Sequence, residues 1–477
     1  MVPLVAGIDC STQSTKALIV DVDSGEAVAI GRANHEVTGT GGARESDPEG
    51  WWTALRDAIG QTGRGAELAA ISIAGQQHGM VVLDGDGKPL RAAKLWNDTE
   101  SAADAATLID ALGGSNWWAE RVGLVPVASF TAAKWAWLRR MEPDVATATA
   151  AIRLPHDFLT ERLCGRGVSD RGDTSGTGWW STATEAYVDE VLDHPSIRLD
   201  PALLPVVLGP REVAGNVTSE AADFVGIPAR IPVGPGTGDN AGAAIGLGLE
   251  PGVPVISLGT SGTAFMVSES RSADPSGTVA GFADATGRFL PLAATLNCTL
   301  AVDRVASWLG LERDDVVAPT EVVVLPFFDG ERTPNLPDAA ASIIGLRHTT
   351  LPGEILLGAY QGAVLSLLDA LDVIDRCSSG IGVDAPLVLV GGGSKGSTWR
   401  SVIQAMSGRA IQIPEAEELA ALGAAAQAAS MLGGEHPDAV ARRWGTRRGT
   451  VLEPVSRDEQ TRNRIHRVRE LTTELNG

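Results

Sequence analysis

The stretch Gly7-Ile8-Asp9-Cys10-Ser11-Thr12-Gln13-Ser14-Thr15-Lys16-Ala17-Leu18-Ile19 returns half a chain later as Val255-Ile-Ser-Leu258-Gly259-Thr260-Ser261-Gly262-Thr-Ala-Phe-Met-Val267. Each copy is an apolar run, a tight loop centred on a threonine, and a second apolar run, which is the pattern of a β-hairpin. Thr12 matches Thr260 and Cys10 matches Leu258. Small and hydroxyl residues in such loops leave backbone N–H groups free to face an anion. A device repeated at this distance predicts duplicated lobes, each presenting one anion-gripping hairpin, with a boundary near 245–255. After the first copy, Asp21-Val-Asp-Ser-Gly25 turns the chain into a third strand, so three antiparallel strands open an α/β protein.

Outward from these hairpins, composition bounds the rest. A chain of 477 residues is too long for one hydrophobic core, and two large lobes are expected. A formal net charge of −21 speaks against a nucleic-acid partner, whose phosphates call for Lys and Arg. Cys10, Cys164, Cys298 and Cys377 lie far apart with no C-x-x-C, as expected of reduced thiols rather than a metal cluster. No signal-peptide pattern and no uninterrupted apolar run of membrane-spanning length are read, so a cytoplasmic protein without a membrane partner is expected.

Further along the chain come the residues able to do chemistry. Asp47-Pro48-Glu49 before Trp51-Trp52 predicts an N-capped helix whose tryptophans are core. A strand over 68–74 ends in Gly75-Gln76-Gln77-His78-Gly79, placing His78 where an imidazole reaches a cleft or serves as a structural hydrogen-bonder. Asp84-Gly-Asp-Gly87 reads as a hairpin turn, since the closing Glu of a calcium loop is missing. Ser169-Asp-Arg-Gly-Asp173-Thr-Ser-Gly176 reads as a polar loop. A short strand over 229–233 then leads through Pro232-Val-Gly-Pro-Gly-Thr-Gly-Asp239-Asn240 into an Ala/Gly-rich helix. Asp239 is thereby placed at the helix mouth, as an N-cap or as a reacting carboxylate. In the second half, a strand over 387–390 runs into Gly391-Gly392-Gly393-Ser394 and then a helix, so that the loop backbone can approach a flat ligand.

Taken in order, these segments resemble the FGGY carbohydrate kinases, most closely their xylulose-phosphorylating branch, over nearly the whole chain. Gly7-Ile-Asp9 with Ser11-Thr12 is similar to the family's first phosphate motif, and Leu258-Gly-Thr-Ser-Gly262 to the second. Val390 to Ser394 is similar to the adenosine motif, Ala74-Gly-Gln-Gln-His-Gly79 to the sugar loop, and Gly238-Asp-Asn-Ala241 to the segment bearing the catalytic aspartate. Trp96-Asn-Asp98 and Phe328-Asp-Gly-Glu-Arg-Thr-Pro334 add specificity. The chain departs from the pattern at Ser11 and Ser14, where glycine is common, at Gln77, where methionine is frequent, and at Thr99-Glu100 in place of Gly-Arg.

The resemblance implies a two-lobed actin-like ATPase (ribonuclease H-like) α/β fold with a central cleft. Residues 1–247 would carry the sugar site, the first phosphate loop and the catalytic aspartate, and residues 248–477 the second phosphate loop and the adenosine site. The implied reaction is phosphorylation of a ketopentose, D-xylulose first, by ATP with Mg²⁺. Asp239 is the implied general base and Asp9 the implied metal-side carboxylate, while Gln77, His78, Trp96, Asp239 and Asn240 would hold the sugar. Thr12, Gln13, Ser14, Lys16, Gly259, Thr260, Ser261, Gly262, Gly391, Gly392, Gly393 and Ser394 would hold the nucleotide. Ribulose, gluconate or glycerol stay open as acceptors. So does an actin- or chaperone-like ATPase that shares both hairpins, and monomer and homodimer both stay open.

Overall fold

The computed structural model describes residues 3–336 and 338–476. Two compact units form, and neither is contiguous in sequence. The first gathers Met1–Leu249, Ser270–Leu290 and Ala416–Arg447, and the second Glu250–Glu269, Pro291–Glu415 and Arg448–Gly477. A division at 247/248 follows the chain, whereas the compact units interleave along it.

The first unit is built on a mixed sheet in the order Gly215–Asn216, Pro232–Val233, Leu68–Gly75, Leu4–Cys10, Ser14–Asp21, Ala27–Asn34. The last three are the antiparallel strands expected at the N-terminus, while Leu4–Cys10 runs parallel to Leu68–Gly75. Ile8, Ile19, Ile71 and Ile73 fill the core with Trp51, Leu55 and Phe158. Trp51 comes from the helix Pro48–Thr62, which starts where the Asp47 side chain accepts the Glu49 N–H. That is the capping arrangement expected of Asp-Pro-Glu.

Close backbone approach seats the helix Leu419–Gly433 on this sheet. A Cβ at Gly7 would lie 1.9 Å from the Ala421 carbonyl oxygen, and one at Gly423 would lie 1.8 Å from the Gly242 carbonyl oxygen. No side chain fits either gap, so glycine is required at both. The same helix therefore touches the strand Leu4–Cys10 and the helix Asp239–Gly246.

In the second unit the hairpin Pro254–Leu258/Gly262–Met266 repeats the first, and its leading strand again runs parallel to a later strand, Leu387–Val390. The loop is one residue shorter: Leu258 pairs with Gly262, whereas Cys10 pairs with Thr15. The helix Pro352–Cys377 is long and apolar enough to cross a membrane by length and composition, yet most of it is buried among the elements of this unit.

Two local expectations are corrected. The segment 169–176 is not a polar loop: Val168–Asp170 is a strand, Arg171–Thr174 a helical turn, and Ser169 through Thr177 are buried. The Asp170 side chain accepts the N–H groups of Gly172 and Asp173, satisfying donors that a solvated loop would give to water. The strand over 229–233 shrinks to Pro232–Val233, and a second short strand, Thr237–Gly238, carries the chain to Asp239.

Candidate active site

Three strands of the first unit end side by side. Cys10 pairs with Gly75, and Gly75 with Gly238. The residues that follow them, Ser11-Thr12, Gln76-Gln77-His78 and Asp239-Asn240, emerge at one sheet edge, the usual place for a ligand in an open α/β sheet. Register alone thus brings together segments more than 60 and 160 residues apart.

At that edge Gly238 is the N-cap and Asp239 the first residue of its helix, so the carboxylate is not the cap itself. Asp239 Oδ1 accepts from the Asn240 backbone N–H at 2.7 Å and from Asn240 Nδ2 at 2.8 Å. Asn240 Nδ2 also donates to Gln77 Oε1 at 2.9 Å. The chain Gln77–Asn240–Asp239 leaves Asp239 Oδ2 outside these bonds, on a side chain that keeps a partial opening to solvent. Burial pushes the Asp239 carboxyl up to about 7, with the negative charge of Asp9 acting in the same sense.

Asp9 is itself buried, and its Oδ2 accepts from Ser11 Oγ at 2.7 Å and lies 3.8 Å from Lys16 Nζ. Lys16 is shared with Glu418 of the returning segment, to which its ammonium donates. Burial raises the Asp9 carboxyl despite Ser11 and Lys16. Its Oδ1 is buried with no hydrogen-bond partner. A buried carboxylate oxygen without a donor fits a hard divalent cation, or water bound to one, so the residues here suit Mg²⁺.

Trp96 Nε1 donates to Thr12 Oγ1 at 3.0 Å, so the Trp-Asn-Asp segment braces the first hairpin. Gln13 is exposed, and Ser14 is buried at the start of its strand with its carbonyl accepting the Ser11 N–H. Asp98, in contrast, is structural: fully buried, it accepts from Lys94 Nζ at 2.8 Å and from the Arg44 N–H at 2.9 Å.

His78 adopts φ +64°, unusual for a residue with a side chain, and packs on Phe130 and Phe282 at ring separations of 4.9 and 5.5 Å. Its carbonyl accepts from Lys134 Nζ at 2.9 Å and from Thr131 Oγ1 at 3.3 Å. Lys134 is fully buried, and burial draws its ammonium down to about 7. Sequence reasoning passed over this lysine, and the Phe-Thr-Ala-Ala-Lys string holds no signal of its partner.

In the second unit Thr260 is exposed at the hairpin tip between Gly259 and Ser261, while Gly262 begins the return strand. The Gly391–Ser394 loop lies against this hairpin. A Cβ at Gly391 would stand 2.9 Å from the Leu258 carbonyl oxygen, and one at Gly393 would stand 2.7 Å from Leu258 Cβ. Gly391 and Gly392 are exposed. Thr299, unremarked in the sequence, ties in the following helix by donating to the Gly259 carbonyl at 2.7 Å. Glu331 of the Phe328–Pro334 segment is buried and accepts from the Leu296 N–H at 2.6 Å and from Asn297 Nδ2 at 3.1 Å, a bracing role.

Each unit thus carries a hairpin with small and hydroxyl residues at its tip, the second with a glycine loop against it and the first with the Asp239 carboxylate at the same sheet edge. Residues 4–246 match the N-terminal domain, and residues 255–432 the C-terminal domain, of the FGGY family of carbohydrate kinases. The chain belongs to that family. A xylulose kinase of Streptomyces coelicolor is 59% identical over 466 residues, covering 97% of this chain and 95% of that protein. A xylulose kinase of Escherichia coli K12 is 32% identical, covering 88% of each. Among solved structures, xylulose kinase from Bifidobacterium adolescentis superposes with a TM-score of 0.85 at 34% identity, covering 98% of this chain and 99% of that one.

Proposed function

We propose that this chain transfers the γ-phosphoryl group of ATP to D-xylulose, giving D-xylulose 5-phosphate. The observation that carries the reading is the Gln77–Asn240–Asp239 chain. It holds a carboxylate whose proton affinity lies near neutrality beside the first phosphate hairpin. A base works best when its pKa is near the operating pH, so Asp239 is suited to accept the proton of the attacking hydroxyl. The acceptor is taken from the high identity to proteins named xylulose kinase.

Phosphoryl transfer passes through a loose transition state that needs positioning and charge neutralisation more than covalent help. Thr12, Gln13, Ser14 and Lys16 of the first hairpin and Gly259 to Gly262 of the second are assigned to the phosphates. Gly391 to Ser394 are assigned to the adenosine. Gln77, Asn240, His78 and Trp96 orient the sugar hydroxyls, where an unmatched polar group is strongly discriminated against. Asp9 is assigned to hold Mg²⁺, which when bound neutralises charge on the β- and γ-phosphates. Within this reading the cytoplasm is the compartment and a homodimer one assembly to test.

A coupled ADP-release assay with D-xylulose, ribulose, gluconate, glycerol and no acceptor tests it. The expected result is turnover stimulated most by D-xylulose. Equal rates with and without every acceptor would reject sugar phosphorylation, and a better acceptor would reassign the substrate.

A further inference from the structure

Beneath the Asp239 segment lies a buried ionic cluster that the reading above does not use. His156, in the helix Pro155–Cys164, is fully buried. Its Nε2 lies 3.3 Å from Asp157 Oδ1, 3.4 Å from Asp170 Oδ1 and 3.3 Å from Asp173 Oδ2. All three carboxyls are buried, and neither oxygen of Asp173 has a hydrogen-bond donor. The imidazole also carries the turn that presents Asp239: a Cβ at Gly236 would lie 2.5 Å from His156 Nδ1. A Cβ at Gly75 would lie 3.1 Å from His156 Cβ and 3.2 Å from its backbone nitrogen, so the residue packs against one strand end through its backbone and against the Gly236 turn through its ring. Asp170 completes the seat by accepting from Thr237 Oγ1 at 3.0 Å, two residues before Asp239.

We propose that His156, a buried imidazole bracketed by Asp157, Asp170 and Asp173, is a positioning residue for Asp239. It seats the Gly236–Asp239 turn and balances the carboxyls beneath it so that Asp239 can shed its proton. This rests on Asp239 being the general base.

The charges facing the cluster decide its sign. Burial draws the His156 imidazole down, but Asp157, Asp170 and Asp173 outweigh it and hold the ring at about 9, so it is cationic at neutral pH. Burial drives Asp173 well above the usual carboxylate range against the pull of His156, with Asp170, Asp157 and Asp239 adding to the rise. Other cations are distributed elsewhere. Arg153 faces Asp157 but pairs with Glu161, and Arg171 turns to Glu185 and Asp284. Lys134 acts on Asp173 only at a distance while bonding to His78, and Asp9 presses on Asp239 from the first hairpin. Asp239 acts on Asp173, and such coupling is reciprocal, so removing the cation beside Asp173 is expected to let Asp239 hold its proton to higher pH.

The test compares His156→Gln, His156→Lys, Thr237→Val and Asp239→Asn in the full chain, each checked for folding by thermal melting. His156→Gln is expected to lower kcat at neutral pH about tenfold, to leave the sugar KM nearly unchanged, and to move the acid limb of kcat up by roughly one pH unit. His156→Lys, which keeps a cation, should return the limb toward its wild-type position. A folded His156→Gln enzyme with wild-type kcat and acid limb overturns the proposal, as does a limb shift that His156→Lys fails to reduce. Should His156→Gln not fold, Thr237→Val decides. Lower kcat at unchanged KM supports the seat, and wild-type kcat overturns it. Near-normal kcat in Asp239→Asn would instead reject the general base, a failure visible in that variant alone.

Discussion

Trp96 Nε1 donates a 3.0 Å hydrogen bond to Thr12 Oγ1 across 84 residues of sequence. One hydroxyl thereby links a tryptophan assigned to the sugar with the hairpin assigned to the phosphates. Thr12 accepts from the indole, so its own proton remains available to an anion.

Thr12→Ala and Thr260→Ala are therefore not equivalent. Each removes one hydroxyl from a hairpin assigned to the phosphates, and nucleotide use is expected to weaken by about 1–3 kcal/mol per charge-assisted hydrogen bond. Thr12→Ala also strands the Trp96 indole, so its sugar KM is expected to rise, whereas that of Thr260→Ala, exposed at its tip, should hold. Initial-rate kinetics with each substrate varied checks this. Matching profiles for the two variants would show that the Trp96 bond does not couple the sites.

Asp239→Asn preserves size and leaves an oxygen to accept the Asn240 N–H while removing the base. A loss of roughly 10² to 10⁴ in kcat is expected, with sugar and ATP affinities changed far less. Steady-state kinetics with a melting curve checks it, and a folded variant with near-normal kcat sinks the mechanism.

The pH dependence of Asp239 has a definite sign. Its folded-state pKa of about 7 lies above the ordinary carboxylate value of about 3.9, so between these values the folded state holds a proton that the unfolded state has lost. Its stability contribution falls as pH rises from about 4 to about 7 and is constant above. Asp239→Asn should therefore melt above wild type at about pH 8, with the gap closing near pH 4. Over the same range kcat/KM of the wild type should rise through about pH 7 to a plateau.

His156 shifts stability in the same direction as Asp239, over a higher pH window. Its folded value of about 9 exceeds the ordinary 6.5, so its stabilisation is complete below about pH 6.5 and is lost as pH rises through 9. His156→Gln should lie furthest below wild type in melting temperature near pH 6, and the two should converge above pH 9. A gap independent of pH would mean that the residue contributes packing without charge.

Gly423→Ala probes the contact between the Leu419–Gly433 and Asp239–Gly246 helices. The added Cβ would stand 1.8 Å from the Gly242 carbonyl oxygen, a backbone atom that cannot turn aside. Overpacking of this kind costs about 1–3 kcal/mol. A lower melting temperature together with lower kcat is expected, because the helix that must shift begins at Asp239. Wild-type stability would show that the helices separate freely.

Much of the site was legible in sequence because its parts are local. The two hairpins announce themselves by an apolar run, a small-residue loop and a second run, and Asp239 and the Gln77-His78 loop stand at breaks between periodic segments. The pattern fixed which residues leave the ends of strands. It did not fix which strand ends are neighbours, and that register, Cys10 beside Gly75 beside Gly238, joins Asp9, Gln77 and Asp239 at one edge.

What only the tertiary structure decided is chiefly a matter of burial. Ser169 to Gly176 is rich in polar residues and reads as solvated, yet it is interior: Asp170 takes up its backbone donors, and His156 Nε2 lies 3.4 Å from Asp170 Oδ1 and 3.3 Å from Asp173 Oδ2. Lys134 and His156 show no motif, since their partners are a carbonyl at residue 78 and carboxyls at 157, 170 and 173. The return of Ala416–Arg447 to the first unit is hidden for the same reason: it rests on glycines at 7, 242 and 423 meeting backbone, and a one-dimensional pattern does not record where two backbones touch.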